Sequence, residues 1–127
     1  MLTERLKEMF YEMVVKKDPS KIPDYYDPEF LLYTNAGSMD YEAFLASHHK
    51  IYATPIEYEI EYDEETLLEE GDKMAGRIWI TTRRPNEPKV RIEVMLIAQF
   101  RENRIYRIWE LTYPDWSQLP AFNDLAK

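Results

Sequence analysis

One stretch decides the fold of this sequence: VRIEVMLIAQFRENRIYRIWELT, residues 90–112. Its first half alternates with a period of two, so one face of the strand carries only apolar side chains. These are Val90, Ile92, Val94, Leu96, Ala98 and Phe100. Glu102-Asn103 follows as a candidate two-residue turn, and a second apolar run begins at Ile105. The stretch therefore predicts an antiparallel hairpin that buries one face.

The register of this hairpin decides which side chains point into the protein. With the turn at residues 102–103, Leu96 faces Trp109, so the indole ring of Trp109 points inward. The same parity places Glu93 and Glu110 on the outer face. A register error of one residue would reverse the direction of these side chains, so both acids stay reserve candidates for a functional site.

The segments before the hairpin complete an α+β pattern. Residues 56–63 alternate between apolar and acidic side chains, and a further strand runs from Met74 to Arg83, which gives a four-stranded meander. Upstream, the pattern predicts three helices at residues 4–17, 20–26 and 41–52 and a short strand at residues 30–34. Helices followed by a meander favour an α+β fold, with the helices packed on one side of a curled antiparallel sheet.

The composition limits the class of protein. A chain of 127 residues predicts a single domain, residues 1–127, in which residues 116–127 form a C-terminal tail. The formal net charge of −8 disfavours nucleic acid and anionic membrane surfaces as partners. Glu4, Glu8 and Glu12 interrupt the apolar residues of the first helix, which excludes a secretory segment there. We therefore expect a cytoplasmic protein.

The third predicted helix carries the first candidate catalytic residue. His48 shares an apolar face with Tyr52 at helical spacing, so its imidazole points into the interior. A neutral imidazole could remove a proton from a carbon beside a carbonyl, with Tyr58 or Tyr113 donating a hydrogen bond to the oxyanion. Alternatively, His48 is a core histidine that forms a hydrogen bond with a neighbouring group.

Aromatic side chains on the strands are the candidate ligand-binding residues. Together with Tyr52, we place around the interior Tyr33, Tyr58, Trp109 and Tyr113, with Arg107 as an inward cation. Buried hydroxyl groups and a buried guanidinium need partners, which favours a ligand site, and Arg107 could hold a carboxylate. The alternative is an ordinary core, because aromatic side chains supply much of the buried area in a small domain.

The outer face of the predicted sheet carries a second apolar set, which consists of Trp79, Met95, Ile97, Tyr106 and Ile108. A contiguous exposed patch of this kind usually marks an interface, so we expect a homodimer that forms through this face. The alternative is that the C-terminal segment, residues 116–125, covers the patch.

Neither a cofactor nor a metal ion is expected from the sequence. The chain has three glycines and no glycine-rich phosphate loop or nucleophile elbow, so a nucleotide or flavin cofactor is disfavoured. His48 and His49 are adjacent and cannot both face one ion from a helix, and the chain has no cysteine to complete a metal site.

The order of several short motifs resembles a known superfamily. They are Lys17-Asp18-Pro19 at the end of the first helix, Tyr26-Asp27-Pro28-Glu29-Phe30 at the entry to the first strand, residues 37–45 at the entry to the third helix, Glu70-Gly71-Asp72-Lys73 before a strand, and residues 100–109. Together they resemble the nuclear transport factor 2-like superfamily, particularly the SnoaL-like polyketide cyclases and their ketosteroid isomerase relatives. This resemblance implies a cone-shaped α+β roll, with a pocket between helices and concave sheet and a dimer through the outer face.

The resemblance leaves the function open. Cyclase-like members often carry an aspartate near the end of the last strand, where this sequence has Tyr113, with Asp115 two residues further on. One prediction is a pocket that binds a small, largely apolar molecule with a carbonyl or acid group, with or without cofactor-free proton transfer of isomerase, cyclase or dehydratase type. The alternative is a non-catalytic ligand-binding module, or a dimeric protein-interaction module that uses the outer face.

Overall fold

In a computed structural model that describes residues 1–123, the chain forms a six-stranded sheet with helices packed on one face. The strand order is β2-β1-β6-β5-β4-β3. The strands are β1 Tyr26–Thr34, β2 Gly37–Asp40, β3 Glu57–Glu70, β4 Lys73–Arg83, β5 Val90–Arg101 and β6 Arg104–Tyr113. Residues 124–127 of the predicted tail lie outside the described residues.

The helices precede or interrupt the strands as the apolar spacing predicts. Helix α1, Leu2–Met9, continues as a π-helical segment, Phe10–Val15, and a 3₁₀ turn, Pro19–Lys21, leads into α2, Ile22–Tyr25. Helix α3 covers Tyr41–Tyr52, and a 3₁₀ turn, Trp116–Gln118, precedes α4, Pro120–Asn123. Asp40 caps α3 because its Oδ1 accepts a hydrogen bond from the Ala43 amide at 2.9 Å.

The predicted α+β class is confirmed, and the sheet is mixed. Strands β3 to β6 form the predicted antiparallel meander, whereas β1 pairs with β6 in parallel. Residues 37–40, which lead into the third predicted helix, form the short strand β2, which pairs with the end of β1. Asn35 supplies the positive φ of 48° that this tight connection needs.

The β5–β6 hairpin turns where the sequence predicts. Glu102 and Asn103 have φ values of 50° and 66°, which are typical of a type I′ turn, and Phe100 faces Ile105. A bulge between Gln99 and Phe100 then adds one residue to β6.

Beyond this bulge the predicted register is wrong. Leu96 faces Glu110 instead of Trp109, so every later side chain of β6 points to the opposite face from the one predicted. Ile108 is consequently buried at 6% exposure, whereas Trp109 reaches the outer face. Glu110 takes the inward position, which makes it a site candidate rather than a surface acid.

The core lies between the inner face of the sheet and the helices. Leu6, Met9 and Met13 of the first helical stretch are almost fully buried, as are Phe30 on β1 and Ile78 on β4. Their apolar surface drives the packing of the helices on the sheet, because each buried aliphatic or aromatic side chain contributes about 1.5–3 kcal/mol.

The acidic strand β3 lies beside strand β4, and its glutamates pair with arginines of β4 and β5. Glu57 faces Arg83 across β3 and β4, and their side chains form an ion pair at 2.8 Å. Glu61 pairs with Arg91 at 3.3 Å on the same outer face. Such exposed pairs contribute roughly 0.2–1 kcal/mol each and help to fix the strand register.

No helix among residues 1–123 is both long enough and apolar enough to cross a membrane.

Candidate functional site

A chain of aromatic rings lines the inner face between α3 and the sheet. Along α3, the Phe44 and His48 rings lie 4.0 Å apart and the His48 and Tyr52 rings 5.3 Å apart. The chain continues from Tyr52 to Tyr58 on β3 at 5.8 Å, and from Phe44 to Tyr26 on β1 at 4.7 Å. We call this set the inner aromatic cluster: Tyr26, Phe30, Phe44, His48, Tyr52 and Tyr58.

His48 points into this cluster, as its helical spacing predicts. Its Nδ1 lies 2.7 Å from the carbonyl oxygen of Phe44, and a carbonyl can only accept, so Nδ1 carries the proton and Nε2 keeps its lone pair. Burial lowers the pKa of His48 from its usual 6.5 to about 4. The imidazole is therefore neutral at pH 7 and is a better hydrogen-bond acceptor than a base.

The phenol groups of Tyr52 and Tyr58 are donors without a partner in the described part of the chain. Burial raises the pKa of both hydroxyls, so both stay protonated. Neither makes a hydrogen bond to another described residue, yet no fully buried polar side-chain atom of residues 1–123 lacks a partner. Both hydroxyl oxygens therefore keep some contact with accessible space, where a ligand group could accept a hydrogen bond.

Glu110 brings a carboxylate to the inner face. The hydroxyl of Thr34, which faces Glu110 across the parallel β1–β6 pair, donates to Glu110 Oε2 at 2.8 Å. The indole N–H of Trp116 donates to the same Thr34 hydroxyl at 3.1 Å. Burial raises the pKa of Glu110, and the Thr34 hydrogen bond offsets part of that increase.

A second set of hydrogen bonds joins the end of β1 to the end of β6 and to the segment after it. The Asn35 side chain donates from Nδ2 to the Thr112 hydroxyl at 2.9 Å and accepts at Oδ1 from the Thr112 amide at 3.0 Å. The Trp116 amide donates to the same hydroxyl at 3.4 Å. The chain after β6 is thus tied to the end of β1, which holds the Trp116 indole against Thr34.

Four of the predicted site residues lie away from the inner face. Trp109 and Tyr33 stack on the outer face with ring centroids 6.1 Å apart, and they are 37% and 40% exposed. Tyr113, at the end of β6, is 79% exposed. The prediction that these rings surround the interior is wrong, because the bulge reverses β6 and Tyr33 follows the outer direction of its partner Trp109.

Arg107 also points away from the interior. Its guanidinium donates to the carbonyl oxygens of Glu29 and Tyr106 at 2.9 and 2.8 Å, and it stacks on the Tyr106 ring at 3.8 Å. The prediction of an inward Arg107 is therefore wrong, because Arg107 and Trp109 are two residues apart on β6 and point to the same outer face. Of the predicted set, the structure brings together His48, Tyr52 and Tyr58.

The outer face differs in part from the predicted patch. Met95 and Ile97 are exposed as predicted, but Ile108 is buried. Two guanidinium groups cover each remaining ring: Arg77 and Arg91 lie over Trp79, and Arg101 and Arg107 over Tyr106. The exposed apolar side chains on this face, which we call the outer patch, are Tyr33, Leu68, Met95, Ile97, Trp109, Leu111 and Tyr113.

The described part of the C-terminal segment does not cover the outer patch. Trp116, Leu119 and Phe122 pack against the core, and the Trp116 ring contacts Phe122 at 5.8 Å. Leu125 of the predicted cover lies outside the described residues. Trp116 instead lies beside Thr34, to which its indole N–H donates a hydrogen bond.

The other candidate sites on the described surface have polar groups that are already paired within the protein. A groove of about 770 Å³ lies between α1 and the β5–β6 turn, but its Arg5 already donates to the carbonyl oxygens of Asn103 and Asp24. Glu93, the other reserve acid, lies on the outer side and pairs with Arg77 at 3.1 Å. Within residues 1–123, no three His, Asp or Glu side chains are grouped to hold a metal ion.

The sequence predicts Glu110 on the outer face because a regular hairpin has no bulge in β6. The run Ile105-Tyr106-Arg107-Ile108 has apolar side chains at both odd and even positions, so it shows no simple alternation. The one available signal was that Ile105 and Ile108 are both apolar at an odd spacing of three. A strand that buries both must contain an extra residue between them.

Comparison with solved structures identifies the fold. PrhC from Penicillium brasilianum superposes with a TM-score of 0.73 at 16% identity, over 99% of this chain and 91% of that chain. IdmH, a candidate polyketide cyclase from Streptomyces antibioticus, gives 0.67 at 14% identity, over 88% of this chain and 91% of that chain. A candidate SnoaL-like polyketide cyclase from Jannaschia sp. gives 0.67 at 13% identity, over 94% and 93%.

These similarities show the fold alone. The chain shares the α+β fold of these SnoaL-like and candidate cyclase structures, which confirms the fold that the motif resemblance implies. No protein-family model and no curated protein sequence matches the chain.

Proposed function

We propose that this protein binds a small, largely apolar, neutral molecule with a carbonyl group between α3 and the inner face of the sheet. One observation carries the proposal: the inner face holds polar atoms that no described residue satisfies. They are the hydroxyls of Tyr52 and Tyr58, Nε2 of His48 and Oε1 of Glu110. A ligand carbonyl could accept from a tyrosine hydroxyl, and apolar ligand surface would contact the aromatic rings.

The acid-bearing ligand that the sequence also allowed has less support. It depended on an inward Arg107, whose guanidinium is held by backbone carbonyls on the other side. A carboxylate next to Glu110 would be a buried charge without a counter-ion, which costs several kcal/mol. A neutral ligand avoids this cost.

The reaction class that fits this site is proton transfer without a cofactor, as in isomerases, cyclases or dehydratases. The structural neighbours IdmH and the Jannaschia protein are candidate polyketide cyclases, which agrees with this class but does not fix a substrate. Non-catalytic binding of the same kind of ligand is the alternative. The cytoplasmic location expected from the sequence remains part of this proposal.

Two probes with one skeleton test the ligand class. N-phenyl-1-naphthylamine is neutral, and 8-anilino-1-naphthalenesulfonate adds a negative charge to the same rings. We expect the neutral probe to bind about tenfold more tightly or better, because the sulfonate would be buried without a cation. Fluorescence titrations at pH 7 measure both dissociation constants.

The variant Ile97→Lys is the matched control, because it adds charge to the outer patch and leaves the inner face unchanged. Binding of the neutral probe should survive in this variant. Equal or tighter binding of the sulfonate probe, or loss of neutral-probe binding in Ile97→Lys, would contradict the proposed inner-face site.

A second proposal concerns assembly: the outer patch forms a homodimer interface. The patch is continuous through the register, since Tyr33, Trp109 and Ile97 lie side by side on β1, β6 and β5. Met95 and Leu111 form the next row and are 51% and 65% exposed. A second copy, related by a two-fold axis, would bury the same patch on both chains.

Light scattering at micromolar concentration tests the dimer. We expect a particle of twice the 15.3 kDa chain mass, and a monomer for the double variant Ile97→Lys and Leu111→Lys. Tyr11→Lys is the control, because Tyr11 is 56% exposed on the helical side and lies outside the patch. A monomeric wild type would rule out the dimer.

A further inference from the structure

We propose that Glu110 is the residue that exchanges a proton with the ligand, and that Thr34 and Trp116 position its carboxylate so that Oε1 faces the ligand. This inference rests on the proposed proton-transfer function. It assigns the acid–base role to Glu110 on β6, which the sequence left as a reserve candidate, and two positioning residues to β1 and the segment after β6.

The hydrogen-bond directions distinguish the two oxygens of the Glu110 carboxylate. An indole N–H can only donate, so the Thr34 hydroxyl accepts from Trp116 Nε1 at 3.1 Å. The one hydroxyl proton of Thr34 is then directed to Glu110 Oε2, 2.8 Å away. Oε2 already accepts this hydrogen bond, whereas Oε1 has no partner among the described residues, so Oε1 is the oxygen left to exchange a proton.

Oε1 is also the oxygen that a ligand could reach. It accepts no hydrogen bond from a described residue, and no fully buried polar side-chain atom of residues 1–123 is left without a partner. Oε1 therefore keeps contact with accessible space. The two oxygens differ in role: one is held by the protein, and the other is free to exchange a proton.

No described cation neutralises Glu110. Asp27 and Glu29, which lie on β1 as Thr34 does, both pair with Arg101 at 2.8 and 2.6 Å. Burial, and to a lesser extent the charge of Glu110, raises the pKa of the Tyr26 phenol, which therefore stays neutral. An acid in such surroundings holds its proton more tightly than a surface glutamate, which suits exchange with a carbon acid.

The remaining nearby acids and bases are engaged elsewhere. Asp115, in the segment after β6, accepts hydrogen bonds from Ser117, and its pKa is lowered mainly by that side chain. Tyr25 on α2 donates to Glu8 at 2.7 Å. On the neighbouring strand β5, Leu96 is the residue that faces Glu110.

The step needs no oxidant, reductant or metal ion. The Oε1 lone pair takes the proton from the carbon next to the ligand carbonyl, and the electron pair of that C–H bond becomes the enolate. The resulting carboxylic acid returns a proton to the same or a conjugated carbon, which restores the carbonyl and the carboxylate. A neutral ketone, enone or similar carbon acid is thus the class of substrate that Glu110 would process.

Deuterium exchange into 1-tetralone tests this role, because its C2 protons lie next to a carbonyl on an apolar bicycle. In D₂O, the carboxylate removes a C2 proton, exchanges it with solvent, and returns deuterium. We expect wild-type protein to accelerate this exchange, and Glu110→Gln to reduce the acceleration by about 100-fold or more. Proton NMR of the C2 signal measures the rate.

Glu93→Gln is the matched control, since Glu93 is an acid on the outer side of the same sheet. It should exchange deuterium at the wild-type rate. Acceleration that survives in Glu110→Gln would overturn the role of Glu110 while leaving the proposed function intact. Absence of any acceleration by wild type would overturn the proton-transfer reaction together with the role of Glu110, whereas ligand binding on the inner face is tested separately by the probe titrations.

The pH dependence tests the positioning residues. The Thr34 hydrogen bond stabilises the carboxylate, so Thr34→Val should raise the Glu110 pKa and move the rising limb of the exchange rate to higher pH. Thr34→Ser should restore the wild-type limb, and Trp116→Phe should move it in the same direction as Thr34→Val. If all three variants lower the exchange rate but leave its rise with pH at the wild-type position, Thr34 and Trp116 have only a structural role.

Discussion

Replacing Phe44 with alanine is expected to lower the free energy of unfolding by about 3–5 kcal/mol. Phe44 is 5% exposed, and its ring lies 5.0 Å from Phe30, 4.7 Å from Tyr26 and 4.0 Å from His48. Truncation would remove the ring that joins α3 to β1 and leave a cavity between them. Urea unfolding followed by circular dichroism measures the loss.

Two variants give this prediction its controls. Phe44→Leu keeps most of the apolar volume and should cost less than the alanine variant. Glu42→Ala truncates an exposed residue on the first turn of the same helix, and it should change stability by roughly 0.5 kcal/mol or less. A loss of less than about 1 kcal/mol for Phe44→Ala would show that α3 does not pack on β1 through this ring.

The stability of the protein is expected to fall by about 2 kcal/mol between pH 7 and pH 5 because of His48 alone. The pKa of His48 is about 4 in the folded protein and 6.5 in an unfolded chain. As the pH falls through 6.5, the unfolded chain takes up a proton that the folded protein does not, so unfolding becomes easier. The loss is complete only below the folded pKa.

His48→Phe isolates this contribution, because phenylalanine keeps a ring against Phe44 and Tyr52 and cannot titrate. The difference in unfolding free energy between wild type and His48→Phe should change by about 2 kcal/mol between the two pH values. The neighbouring His49 is exposed on the helix flank, and His49→Phe controls for removal of an imidazole. An equal pH dependence in wild type and His48→Phe would show that His48 is not desolvated.

Much of the fold could be predicted from the sequence because its signals are local. The period of two on β5, the turn at Glu102-Asn103 and the apolar face of α3 all follow from side chains within a few residues of one another. The same locality explains why His48, Tyr52 and Tyr58 were correctly placed on the inner side. The direction of a side chain on α3 or β3 depends on no distant register.

The rest of the site could not be predicted because one bulge changes the parity of β6. The extra residue after Ile105 moves Trp109 and Tyr113 to the outer face and turns Glu110 inward. The parallel pairing of β1 with β6 then carries Tyr33 outward with Trp109. Each of these outcomes follows from a single register shift, and the one local sign of that shift is the odd spacing of the apolar Ile105 and Ile108.

The contacts that define Glu110 are also remote in sequence. Thr34 and Glu110 are 76 residues apart, and Thr34 and Trp116 are 82 residues apart. Such a triad depends on the parallel β1–β6 pair and on the path of the chain after β6. Neither can be derived from composition or periodicity.

The central claim is that the ligand binds on the inner face, and the three tryptophans report on it from both sides of the sheet. Trp79 and Trp109 lie on the outer face, and Trp116 donates to Thr34 beside Glu110. With 5-fluorotryptophan incorporated, the ¹⁹F NMR signal of each can be followed while N-phenyl-1-naphthylamine is added. We expect the Trp116 signal to shift saturably and the other two to stay in place; a shift of Trp109 with Trp116 unmoved would contradict the inner-face site.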